Sequence, residues 1–183
     1  ASFTSVVQKL EINSDLKVEV NLLEKLCAPY GLVRTGVAPD HPLIKKSIEK
    51  FAVMAEPEAF NYFGNVSVGK DITVDELKET HHAVIITMGA ETDRKLGIPG
   101  EDLKGSHTAT EFVAWYNGHP EYREREFDLS HETAVIIGQG NVAADVARIL
   151  SKTVDELKCT DISQHALDVL ETSKVKNIYI VGR

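Results

Sequence analysis

Apolar and polar positions alternate along this chain with two different periods, and the changes between them outline its elements. Phe3, Val6, Val7 and Leu10 recur at helical spacing and predict an amphipathic helix. After the turn at residues 12–15, residues 16–23 (LKVEVNLL) alternate as a strand that ends at Glu24. Residues 27–42 (CAPYGLVRTGVAPDHP) are punctuated by glycine and proline and predict a loop with fixed bends. A helix is expected over 43–54, stopped by Glu56-Pro57, then a short strand over 62–69. Thr73 followed by Glu76 is a capping box and starts a helix. Residues 82–90 (HAVIITMGA) form a continuous apolar run, the pattern of a strand buried in a parallel sheet.

Residues 97–105 (GIPGEDLKG) are turn chemistry, and a domain boundary is expected there. Residues 110–118 predict a short helix carrying the single Trp115, a packing residue, and 118–132 a charged surface connection that includes the run 122–126. An apolar strand from Thr133, a glycine turn and a helix to about Leu150 follow. A further helix over 161–171 and a strand over 175–182 complete the pattern, with no repeat of short period. Strands alternating with helices give the class α/β.

The turn Gly138-Gln139-Gly140-Asn141-Val142-Ala143 reads GxGxxA. Gly138 permits the tight bend, Gly140 lets a pyrophosphate approach the backbone, and Ala143 keeps the helix close to the strand. The unpaired N–H groups and positive end of the helix favour phosphate. The next strand ends in Gly182-Arg183, where an arginine suits a 2′-phosphate and so NADP rather than NAD. The opening helix, the strand and Glu24 match the second half of another such unit, with Glu24 where a carboxylate would bind an adenosine ribose. GxGxxA is then the second of two dinucleotide sites, and the first strand and glycine loop are expected before Ala1.

Composition narrows the alternatives. The 183 residues are 43% hydrophobic and 26% charged with a net charge of −8, which disfavours a broad nucleic-acid surface. No apolar run approaches the roughly 20 residues of a membrane helix. Cys27 and Cys159 are far apart, with no CxxC, so they are expected as reduced thiols. His81 and His82 alternate across a strand start and are expected to be structural. No GxSxG elbow supports a hydrolase.

The stretches LLEKLCAPYGLVRTGVAPDHPLIK, YFGNVSVGKDITVDEL, IPGEDLKGSHTATEFVAWYNGHPE, AVIIGQGNVAADVARIL and NIYIVGR together resemble the adrenodoxin reductase and NADPH–ferredoxin reductase family, in family order over nearly the whole chain. The resemblance implies two Rossmann-like dinucleotide-binding domains, both incomplete here: residues 1–105 as part of an FAD-binding domain and 106–183 as the N-terminal part of an NADP-binding domain. It implies FAD and NADP as cofactors, hydride transfer from NADPH to FAD, then single electrons to a ferredoxin- or adrenodoxin-type iron–sulfur protein. It also implies a monomer, mitochondrial in eukaryotes and cytoplasmic in bacteria.

By motif match, Ala1, Glu24, Leu32 and Val68 fall at FAD-contacting positions. Gln139, Gly140, Asn141 and Val142 fall at the NADP pyrophosphate loop, and Arg183 at the first of an arginine pair holding the 2′-phosphate. The loop containing His41 lies near the flavin in the family pattern. With Asp145, one turn into the NADP helix, His41 is the candidate catalytic pair for handling a proton. Ser2 stands where the family has the third glycine of its first motif, and the initial strand, its GxGP loop and everything after Arg183 are not in this chain. It is therefore expected to be a fragment. Two other readings stay open: an electron-entry flavoprotein of the glutamate synthase small-subunit type, and a non-catalytic NADP-binding module.

Overall fold

The computed structural model describes residues 18–56, 59–90 and 92–182. The expected opening helix, Ala1 and Arg183 lie outside them. In chain order the elements are β1 (Val20–Glu24), α1 (Gly31–Thr35), α2 (Pro42–Lys45), α3 (Ser47–Met54), β2 (Phe60–Gly64), α4 (Val74–Thr80), α5 (Ala109–Tyr116), β3 (Thr133–Ile137), α6 (Asn141–Ser151), α7 (Val154–Leu157), α8 (Gln164–Glu171) and β4 (Asn177–Val181). The chain divides into two compact units. One takes residues 1–31 and 46–91, the other residues 32–45 and 92–183. The second unit thus receives residues 32–45 as well as the turn-rich 97–105.

In the first unit β1 and β2 pair in parallel, Val20 opposite Phe60 and Glu24 opposite Gly64. The amides of Asn21 and Asn61 bond each other side by side on this pair, Asn61 Nδ2 donating to Asn21 Oδ1 at 3.0 Å. β2 is shorter than the expected 62–69, because the chain turns through a left-handed Asn65 (φ 59°). A lone parallel bridge, Val68 to Ile72, closes the following turn. α4 begins with the expected capping box: Glu76 N donates to Thr73 Oγ1 at 3.2 Å, and Thr73 N donates to Glu76 Oε2 at 2.8 Å.

Two expectations fail here. The run 82–90 is not a strand: no described strand lies beside it, and Ile85, Ile86 and Met88 are all exposed. A strand exists only through a ladder partner, and apolar content cannot supply one. The single helix over 43–54 is two, α2 and α3, broken at Lys46. Lys45 is held in the second unit by Asn117 Oδ1 at 3.2 Å and Asp161 Oδ2 at 2.7 Å, contacts that hydrophobic spacing does not register. The loop over 27–42 also contains a short helix, α1, entered through positive φ at Tyr30 and Gly31.

In the second unit β3 and β4 pair in parallel, Thr133 opposite Asn177 and Ile137 opposite Val181. α6 packs on this pair. It buries Ala143, Val146 and Ile149, one stripe at helical spacing. α5 buries Phe112, Val113, Ala114, Trp115 and Tyr116, and α7 and α8 add Leu157, Ala166, Leu167 and Leu170. Phe112, Trp115 and Phe127 form an aromatic cluster with ring centroids 4.9–5.5 Å apart. Trp115 is the packing residue the sequence suggests. The other face of the sheet carries Val135, Ile137, Tyr179 and Val181, all exposed.

The segment TVDELK occurs twice, at 73–78 and 153–158, and folds alike both times. Thr153 and Glu156 repeat the reciprocal bonds of Thr73 and Glu76. In both, the hydrogen bond from the threonine backbone lowers the glutamate pKa. The second copy, α7, is an element that reading for periodicity missed, although its capping signal stands in the sequence.

Candidate functional site

The turn between β3 and α6 has the geometry its glycines suggest. Gly138 takes φ +122°, a conformation side chains rarely adopt. Its N–H donates to Val181 O at 2.7 Å, tying the turn to the end of β4. Gly140 is the N-cap of α6, and open space lies where its Cβ would be. No side chain caps this helix and no acid occupies its first turn, whereas Thr73, Thr108 and Thr153 cap α4, α5 and α7. The first N–H groups of α6 are thus left for an outside acceptor. Ala143 is buried against the strand pair, and Val142 is half exposed at the helix entry. The Gln139 side chain lies where a Cβ on Gly182 would stand. These residues fit a dinucleotide pyrophosphate: an uncapped helix end, a backbone open to close approach, and no competing carboxylate.

Further along α6, Asp145 and Arg148 lie one turn apart and meet the loop that ends at His41. Arg148 Nε donates to Asp40 Oδ2 and Nη2 to Asp40 Oδ1 at 2.7 Å, a bidentate pair. Lys152 Nζ adds a bond to Asp40 Oδ2 at 2.6 Å. The Asp40 side chain is only 5% exposed, so this carboxylate is satisfied almost wholly by the two cations. The Arg148 guanidinium accordingly holds the Asp40 carboxyl well below the usual carboxylate range, and Asp40 in turn strengthens the charge on Arg148.

His41 Nε2 lies 3.2 Å from Asp145 Oδ1 and 2.8 Å from Arg148 Nη2. The two residues that sequence reasoning paired are therefore in contact. Sequence reasoning did not find Asp40, Arg148 or Lys152. The i, i+3 spacing of Asp145 and Arg148 and the i, i+4 spacing of Arg148 and Lys152 were the available signal. Tyr116 sits beneath this cluster with its hydroxyl buried and without a partner among the described residues. Burial raises its pKa, and the Asp145 charge raises it further.

Positions matched to FAD contacts are found in both units. In the first, Glu24 ends β1; its Oε1 accepts from Leu26 N at 3.1 Å, and Oε2 has no partner among the described residues. An open carboxylate oxygen at a strand end fits ribose hydroxyls. Val68 is half exposed beside the bridge to Ile72. In the second unit, Leu32 on α1 is 78% exposed. His81 is structural, as expected: its Nδ1 lies 3.2 Å from Leu77 O and its Nε2 2.9 Å from Asn21 Nδ2. Cys27 and Cys159 are free and exposed. Among the described residues no cluster of histidine, cysteine and carboxylates could hold a metal ion, and no helix is long and apolar enough to cross a membrane.

No protein-family model matches the chain. Individual proteins do. The mitochondrial NADPH:adrenodoxin oxidoreductase of Salvelinus fontinalis is 57% identical over 166 residues, 91% of this chain and 33% of that protein. The NADPH-ferredoxin reductase FprA of Mycobacterium leprae is 51% identical over 98% of this chain and 39% of its own length. The solved structure of Mycobacterium tuberculosis FprA in complex with NADPH superposes with a TM-score of 0.95 at 49% identity, over 99% of this chain and 40% of that one. The α/β units are thus part of a dinucleotide-binding flavoprotein fold. At about half identity over nearly its full length, the chain is a homologue of the NADPH:adrenodoxin oxidoreductases and NADPH-ferredoxin reductases, and it spans between a third and two-fifths of the length of the curated relatives it matches.

Proposed function

We propose that the protein passes electrons from NADPH through FAD to a ferredoxin- or adrenodoxin-type iron–sulfur protein, and that this chain supplies the NADP pyrophosphate cradle and part of the FAD seat. The observation that carries the proposal is the uncapped GxGxxA helix end, open at Gly140, in a chain about half identical to reductases of that name. Gln139, Gly140, Asn141 and Val142 receive the pyrophosphate through backbone N–H groups, and Arg183 binds the 2′-phosphate. Glu24 binds ribose hydroxyls through its open Oε2, and Ala1, Leu32 and Val68 are each proposed, by motif match, as positions that contact FAD. When bound, FAD converts a two-electron donor into one-electron steps.

His41 handles the proton that accompanies flavin reduction, with Asp145 as its partner at 3.2 Å. Residues 1–105 contribute mainly to FAD binding and 106–183 to NADP binding. The protein works as a monomer in mitochondria, a reading supported by the word mitochondrial in the name of the Salvelinus fontinalis relative; a bacterial source would make it cytoplasmic.

Gly140→Ala in the full-length protein tests the cradle. The lost N-cap preference and the reduced freedom of the unfolded chain offset each other, so stability changes by less than about 1 kcal/mol. The methyl group fills the space that phosphate needs, and NADPH affinity falls by roughly tenfold or more, about 1.4 kcal/mol. An unchanged Kd for NADPH would overturn the assignment of this loop.

A further inference from the structure

The Nη2 atom of Arg148 faces more acceptors than it has hydrogens to give. It carries two hydrogens and faces Asp40 Oδ1 at 2.7 Å, Asp145 Oδ1 at 2.8 Å and His41 Nε2 at 2.8 Å. The bidentate pair with Asp40 uses one of them, and Lys152 fixes that carboxylate from the other side. One hydrogen remains for Asp145 and His41. A guanidinium donates and never accepts, so a hydrogen aimed at Nε2 requires a lone pair there. If Nε2 carries a proton instead, its acceptor is Asp145 Oδ1 at 3.2 Å. The guanidinium hydrogen then turns to the same carboxylate.

We propose that Arg148 is a positioning residue: it holds the Nε2 lone pair of neutral His41 and so places the ring hydrogen on Nδ1, until a proton reaching Nε2 hands the arginine hydrogen over to Asp145. The contact to Arg148 is the shorter of the two at Nε2, and the guanidinium cannot swing away because Asp40 grips it in two places. The groups in contact with the imidazole are Asp145 and Arg148 on α6; Asp40 and Lys152 hold the guanidinium, and the buried Tyr116 hydroxyl on α5 lies in the field of Asp40, Asp145 and Arg148. The Nδ1 atom has no partner among the described residues, and the His41 side chain is 39% exposed. The hydrogen that Arg148 directs to Nδ1 is therefore the one His41 offers outward.

The inference deepens the proton-handling reading of His41 and is tested apart from it. Nitrogen-15 NMR of the histidine side chains in the full-length protein reads the tautomer of each neutral ring. His81 is an internal reference: at Nδ1 Leu77 O accepts only, and Thr80 Oγ1 at 2.9 Å accepts while its own hydrogen goes to Glu76 O; at Nε2 Asn21 Nδ2 donates only, the pattern of Nδ1–H. His41 is expected to match it. In Arg148→Met the Nε2–H share of neutral His41 rises roughly tenfold, the loss of one charge-assisted hydrogen bond. In Asp145→Asn the Nδ1–H form persists. A neutral wild-type His41 with its hydrogen on Nε2 would overturn the proposal without any variant, as would an unchanged tautomer in Arg148→Met. Separately, His41→Gln with unchanged hydride transfer across pH would remove the proton-handling reading and leave the tautomer result standing.

Discussion

The two units pair strands in the same way, yet their described residues bury very different amounts. Both sheets are parallel pairs of five residues in straight register. In the second unit Trp115, Tyr116, Ile149 and Leu157 are essentially inaccessible, and the buried aromatic and aliphatic residues form one cluster. In the first unit Leu77, still 7% exposed, is the only buried apolar side chain among the described residues. Strand pairing satisfies backbone groups but does not by itself remove side chains from water. That takes helices laid on the sheet, and α5 to α8 all belong to the second unit.

The contrast makes its strongest prediction at Trp115. Trp115→Ala is expected to destabilise the second unit by about 3–5 kcal/mol, read as a fall in the urea midpoint, while Leu77→Ala costs the first unit about 2 kcal/mol, the low end for such truncations. Equal losses would mean that the first unit has a core as demanding as the second.

Acid probes the second unit next. The Asp40 carboxyl is depressed by Arg148 and Lys152, so its contribution is fully present above the ordinary carboxylate pKa of about 4. It fades as pH falls below that toward the depressed folded value. Asp40→Asn should cost about 2–3 kcal/mol near neutral pH, less than a fully buried pair because both cations keep some access to water. The variant should also lose stability less steeply between about pH 4 and pH 2. An acid limb unchanged by the substitution would show that other carboxylates govern it.

The smallest effects test where the units agree. Thr73→Ala and Thr153→Ala each remove a threonine from an identical capping box and should each cost about 1 kcal/mol. Amide hydrogen exchange in α4 and α7 measures both, and a large difference would show that the surroundings, not the hexapeptide, set the strength of the cap.

What the sequence revealed follows the same division. The β3 turn, α6 and the first capping box could be read because each is coded by residues within one turn of chain. Gly138, Gly140 and Thr73 with Glu76 carry their own geometry. The run 82–90 misled because its apolar content says nothing about a neighbouring strand. The break at Lys46 leaves no mark in the hydrophobic pattern, and the bonds that hold the neighbouring Lys45, to Asn117 and Asp161, join residues 72 and 116 positions apart. The His41–Asp145 pair came from resemblance rather than spacing, since 104 residues separate its members. The cations that organise the pair had no such guide, and only the folded chain brings Arg148 and Lys152 to Asp40.

The two exposed thiols open an experimental route. Cys27 belongs to the first unit and Cys159 to the second, and this chain has no other cysteine. Maleimide dyes would therefore find one attachment point on each unit without mutagenesis. A donor and acceptor so placed would turn the distance between the units into a fluorescence signal, recorded molecule by molecule as NADPH is added and withdrawn.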